Sequence, residues 1–187
     1  MANLINLEIA VDTGTLFEEY PNLSRNDRKP TTIDPSYCYM IGAPGTVVEG
    51  QATEAMTLAL CDDDKEAIAA IRWRSLSLSG NSDTAAVLYD IVRSTRTQSL
   101  LGEVQSYGAA GDVPIPILVN GRQTDPPSFS DVETQDYYLE AAILRFGVAS
   151  LRVRLYLTTP DPQNGMPMLA GYVQWPAVLN LTKVGKT

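Results

Sequence analysis

Apolar and polar residues alternate with a period of two along much of this chain. Ile5, Leu7, Ile9 and Val11 are interleaved with Asn6, Glu8, Ala10 and Asp12. Leu151, Val153, Leu155 and Leu157 are interleaved with Arg152, Arg154, Tyr156 and Thr158 in the same way. Successive side chains of a strand point to opposite faces, so each segment reads as a strand with one buried face. Met56, Leu58 and Leu60 alternate with Thr57, Ala59 and Cys61, which leaves a less polar second face. The pattern predicts further strands over Tyr37–Ile41, Val87–Arg93, Gly102–Tyr107, Ile115–Val119, Tyr137–Leu144 and Leu169–Trp175, with a last short one at Val178–Leu181. In Ile71–Leu78 the phase changes midway: Ile71 and Trp73 share one face, Leu76 and Leu78 the other. A β-bulge near Arg74–Ser75, or a strand crossing between sheets, is the expected cause.

Helix signals are few. Thr15 with Glu18 three residues on resembles a capping box for one or two turns, stopped by Pro21. Asp62 to Ala69 reads as another turn, opened by acidic residues that suit a helix N-terminus. Asn22–Pro35, Gly108–Pro116, Asn120–Asp136 and Thr159–Met168 are rich in Pro, Gly, Asn and Asp and are expected to be loops. About ten short strands with turn-rich connections predict an all-β fold. The expected form is a mainly antiparallel, jelly-roll-like β-sandwich with one or two short helical turns. The 187 residues fit a single domain, residues 1–187, with no repeat or linker that divides it.

A composition of 44% hydrophobic and 19% charged residues is that of a globular chain. The formal net charge of −8 disfavours nucleic acid and anionic membrane as partners. Arg25/Arg28/Lys29 and Arg152/Arg154 are too sparse to make a basic patch. No apolar run approaches the ~20 residues that span a bilayer, and the N-terminal residues lack a signal-peptide pattern. Cys38 and Cys61 therefore read as reduced, buried thiols of a cytoplasmic protein.

The chain contains no histidine. That removes the usual Ser-His-Asp and Cys-His nucleophiles and the imidazole ligands of most transition-metal sites. Gly42-Ala43-Pro44-Gly45 lacks the Lys and following helix of a phosphate loop. Ile9-Ala10-Val11-Asp12-Thr13-Gly14-Thr15 resembles the active-site loop of aspartic proteases. The residues that follow, Leu-Phe-Glu-Glu-Tyr-Pro, make a helical turn where a protease has a strand, so Asp12 is read as a strand-to-turn junction. Asp62, Asp63, Asp64 and Glu66 could suggest calcium. Ala67 and Trp73, however, stand where an EF-hand loop needs its Gly and its distal Glu. Trp73 and Trp175 could stack on sugars, but their apolar neighbours of matching parity favour core packing, and Arg72 and Arg74 fall on the opposite, solvent face. No catalytic, cofactor-binding or metal-ligating residue is assigned, no cofactor is expected, and the chain is not expected to be an enzyme.

Several segments together resemble the AidA/PixA family of bacterial inclusion-body proteins. They are Val11-Asp12-Thr13 followed by Tyr20-Pro21-Asn22-Leu23-Ser24, Tyr39-Met40-Ile41, Gly50-Gln51-Ala52, Ile71-Arg72-Trp73-Arg74-Ser75-Leu76-Ser77-Leu78-Ser79, Tyr137-Tyr138 and Gly171-Tyr172-Val173-Gln174-Trp175. They occur in family order over nearly the whole chain. Departures lie at Asp62–Glu66, where relatives have a compact Gly-Asp turn, and at Trp175-Pro176-Ala177, where relatives have Trp-Asp-Pro. The resemblance implies a cytoplasmic protein that accumulates to high level under growth-phase or quorum-sensing control, with no defined reaction. With only 5 Met, a methionine store is a poor explanation of this member. The expected partner is a second copy of the chain, as a homodimer or higher assembly. The alternative expectation is a carbohydrate- or small-molecule-binding module on the same sandwich.

Overall fold

The computed structural model describes residues 4–44, 46–61, 70–79, 83–119, 122–123 and 128–184; for 61, 112–116, 118–119, 122–123 and 184 the description covers the backbone only. In chain order the elements are β1 (Leu4–Val11), α1 (Thr13–Glu19), β2 (Thr31–Thr32), β3 (Cys38–Gly42), β4 (Val47–Glu49), β5 (Ala55–Cys61), β6 (Ala70–Ser77) and β7 (Ala85–Arg93). They continue with β8 (Gln105–Pro116), β9 (Leu118–Val119), β10 (Arg122–Gln123), β11 (Phe129–Ala142), β12 (Gly147–Pro160) and β13 (Pro167–Val184). Single 3₁₀ turns precede β3 and follow β7.

Two sheets face each other across one apolar core. The first has strand order β3-β1-β6-β11-β8, the second β4-β5-β13-β12-β7 with β2 beside β13, and β9 and β10 pair separately. The fold is the all-β sandwich predicted, but both sheets are mixed: β1 lies parallel to β6, and β13 lies parallel to β5 and β2. Period-two alternation is the same for either direction, so the parallel ladders are invisible in the pattern.

The alternating positions of β1, β5, β12 and β13 point inward, and Trp73 and Trp175 are fully buried between the sheets. Each such side chain removed from water contributes about 1.5–3 kcal/mol. Cys38 is buried among them, and burial pushes its thiol pKa up, so it is an inert thiol. The side chain of Cys61 lies outside the described residues.

The expected phase change in β6 is absent. Its register with β1 runs unbroken from Ala70 to Ser77, and Leu78 is exposed. The inward positions after Trp73 are instead Ser75 and Ser77, whose hydroxyls serve the edge of β7. Ser75 Oγ accepts from the Leu88 N–H (2.8 Å) and donates to the Ala86 carbonyl (2.9 Å), and Ser77 Oγ donates to the Thr84 carbonyl (2.6 Å). The bulge lies in β7, where the register against β12 shifts between Arg154 and Leu155 and skips Tyr89. The shift turns Leu88 and Ile91, three residues apart, to the same buried side. It also explains why Val87–Val92 reads as apolar on both faces.

Two segments expected to be loops are largely strand. Gly108–Pro116 belongs to β8, and Phe129–Asp136 extends β11 backwards from the predicted start at Tyr137. The Pro and Gly content suggested loop, but the Ile117 N–H donates to the Ser128 carbonyl (2.8 Å) in this ladder. By alternation, Pro114 and Pro116 have their nitrogens on the side away from β11 and cost the ladder nothing. The strands predicted at Leu169–Trp175 and Val178–Leu181 are one strand, β13, running through Pro176.

Candidate functional site

β11 pairs with β8 from Glu140/Gln105 to Phe129/Pro116, but with β6 only over Leu139–Ala142. Beyond Tyr138 the β8–β11 hairpin therefore leaves the sandwich as a two-stranded arm. Every described side chain from Gln105 to Gly111 and from Ser128 to Gln135 is exposed. Nine residues of extended chain from Pro116 to Gly108 give the arm a reach of about 30 Å.

Its root is held by side chains on the outer face of the first sheet. Arg72 donates through Nε and Nη2 to Glu140 Oε2 (3.1 and 2.9 Å). Arg74 donates through Nε and Nη2 to the two carboxylate oxygens of Asp136 (2.8 and 2.5 Å) and through Nη1 to Asn6 Oδ1 (3.2 Å). The Arg72 guanidinium lies 3.8 Å above the Tyr138 ring, and Tyr138 stacks on Tyr107 with centroids 5.4 Å apart and planes 20° from parallel. The period-two pattern sets these groups side by side. Arg72 and Arg74 alternate on β6, Asp136, Tyr138 and Glu140 on β11, and antiparallel pairing aligns them.

Where β11 departs from β6, a cleft of about 380 Å³ opens, lined by Glu8, Arg74, Ser75, Leu76, Ala86, Val87, Gln135, Asp136 and Tyr137. The Arg74 hydrogen bonds hold the Asp136 carboxyl below its ordinary pKa, and Asp136 in turn raises that of Arg74. Glu8 is driven the other way, chiefly by burial, against the nearby positive charge of Arg74. Arg74 spends its donors on Asp136 and Asn6, so the arrangement acts as a clamp on the arm more than as a binding fork for an anion.

Asp12 is the N-cap of α1: Oδ1 accepts from the Thr15 N–H (3.1 Å) and Oδ2 from the Thr15 hydroxyl (2.8 Å). The capping box expected from Thr15 and Glu18 is replaced by this cap three residues earlier, and the helix does stop before Pro21. Asp62, Asp63, Asp64 and Glu66 lie outside the described residues. Trp73 and Trp175 are core residues, as expected, with no acceptor for either indole N–H among the described residues. Arg72 and Arg74 are on the outer face as expected, but ion-paired and only about a quarter exposed. Among the described residues no group of three His, Cys, Asp or Glu could hold a metal ion, and no helix is long and apolar enough to cross a membrane. Asp136, Tyr138, Glu140 and Tyr107 are not among the residues singled out by the sequence. Their alternation was visible, but the strand they would neighbour was not.

A family model described as PixA, inclusion body protein, matches residues 3–181. The chain belongs to the PixA inclusion body protein family. Its fold is that of a crystal structure of a PixA inclusion body protein from Burkholderia cenocepacia J2315. That match has a TM-score of 0.73 and 17% identity, and it covers 97% of each chain. No curated protein is similar enough to this PixA-family chain to count as a match.

Proposed function

We propose that this PixA-family chain is a non-enzymatic, self-associating protein of the cytoplasm, which accumulates as an assembly of its own copies. The growth-phase or quorum-sensing control implied by the AidA/PixA resemblance belongs to the same reading. The observation that carries it is the arm. A two-stranded hairpin with both faces in water is at best marginally stable by itself. This one also exposes Phe129 and Val132. A ribbon that gains little from its own sandwich gains from burial against another molecule, and the family's description as inclusion body proteins supports another copy as that molecule. Sedimentation velocity over a wide loading range tests it. The expected outcome is a dimer or larger species that grows with concentration. A single monomeric species from micromolar to millimolar loading would defeat it.

A second reading, a sugar- or small-molecule-binding module, is favoured by the cleft beside Glu8, Arg74 and Tyr137. Chemical-shift changes confined to those residues on titration with mono- and disaccharides would support it.

A further inference from the structure

We infer that the free edge of β8 is a strand-addition site for β8 of a second copy, paired antiparallel about a two-fold axis at Ala109. This rests on the self-association just proposed and names the surface and register that perform it.

The sandwich protects its other edges. Ser75 and Ser77 occupy the edge of β7. The segment after β4 covers β3, with the Ala52 N–H donating to the Met40 carbonyl (2.7 Å) and Gln51 bonded to both backbone groups of Gly42. β4 is only three residues long. Short or covered edges are the usual defence against unwanted pairing. On the arm itself, Asp131 and Glu133 put charge on β11. Among the described residues β8 is the long edge without such cover, and Gln105–Gly111 carries no charged residue.

The ladder with β11 fixes which groups are open. The Ile117–Ser128 bond makes 117/128 a hydrogen-bonded pair, so by antiparallel alternation residues 105, 107, 109 and 111 are the ones that bond to β11, and the backbone N–H and C=O of Ser106, Gly108, Ala110 and Asp112 point away from it. The next two outward nitrogens belong to Pro114 and Pro116 and cannot donate. The open run is therefore bounded by proline, and the bound selects a register. With Ala109 opposite Ala109, Ser106 meets Asp112 and Gly108 meets Ala110, so every outward amide finds a carbonyl and the ladder ends where Pro114 begins. Moving the axis one residue to Ala110 would set Ser106 against Pro114 and lose a donor. The same register lays Tyr107, already stacked on Tyr138, across from Gly111, where no atom lies within 4 Å of the position a Cβ would take. Aromatic–glycine pairs across strands are a favourable use of such space. A second copy meets this pattern twice over, because the same four amides and the same bounding prolines recur on it.

Two variants of the full chain test this. Ala110→Pro removes an outward N–H and leaves the β8–β11 ladder intact, so circular dichroism should be unchanged while association weakens more than about tenfold. Ala109→Cys sets two thiols across the axis at a Cα separation of about 4.5 Å, within disulfide range. It should give a disulfide-linked dimer at least about tenfold faster than Ser128→Cys, near the arm's far end. If Ala110→Pro fails to fold, the cysteine pair alone decides. If the unmodified chain associates but neither variant behaves so, the β8 edge is wrong and self-association stands. If the unmodified chain does not associate, both readings fall.

Discussion

Glu8 and Asp136 flank Arg74, yet burial and hydrogen bonding drive their pKa values in opposite directions. Asp136 is held below its ordinary value of 3.8, so its contribution to stability is present above that pH and is lost as pH falls through the folded value. Glu8 is raised above 4.5, so its linked stability is present below 4.5 and is lost as pH rises through the folded value. At neutral pH the first carboxylate therefore stabilises the root of the arm and the second opposes it. Asp136→Asn should cost about 0.5 kcal/mol at pH 7, the small figure reflecting a carboxylate 39% exposed and screened by solvent. Glu8→Gln should gain a few tenths of a kcal/mol at pH 7, again on the scale of partly exposed charges. Urea unfolding followed from pH 7 to pH 3 should show the two effects with opposite signs, both fading as the carboxyls protonate. Two losses of equal sign would mean that Glu8 is a partner of Arg74 and not a group penalised by burial.

Pro176 shows, for a whole strand, how backbone direction decides what a residue costs. The Ile33 N–H donates to the Gln174 carbonyl, and the Val178 N–H donates to the Glu54 carbonyl, so positions 174, 176 and 178 face the same neighbours. Between them β2 has ended and β5 has not begun, and Pro176 puts its missing N–H in that gap. Pro176→Ala should therefore leave stability within about 0.5 kcal/mol, as substitutions away from packed features do. Val178→Pro should cost about 2 kcal/mol or more and loosen β5, because it deletes a hydrogen bond that is made. Denaturant midpoints of the two variants compare them directly. The strands predicted from the sequence stop at Trp175 and resume at Val178, on either side of Pro176, and composition shows that a donor is missing there but not which side it faces. The prolines of β8 misled in the same way. What was legible came from burial: the alternation in β1 and β12, and the tryptophans in the core. Of the clamp, Arg72 and Arg74 could be put on the outer face by parity. Their partners depend on β11 lying next to β6, a long-range pairing that no local pattern records.

Charge sets the terms on which whole molecules meet. Each copy carries 22 acidic against 14 basic residues, a net −8, so two copies repel at long range. The β8 edge brings together Ser106–Asp112 of the two copies, in which Asp112 at each end is the one charged residue and lies opposite Ser106, so the pairing rests on backbone hydrogen bonds and not on ion pairs. Salt therefore screens the repulsion and has little attraction to weaken. The Debye length falls from about 10 Å at 0.1 M to about 3 Å at 1 M. Association should accordingly strengthen as NaCl is raised across that range, and strengthen again as pH falls and exposed carboxylates lose their charge. Light scattering at fixed protein concentration follows both trends. Assemblies that dissolve in salt would instead be held by opposite charges, which would direct attention to exposed cations such as Arg152 and Arg145 meeting the acidic arm of a neighbour. The two mechanisms thus differ in the sign of one slope, and Ala110→Pro separates them again, since removing a backbone donor should weaken the first and leave the second intact.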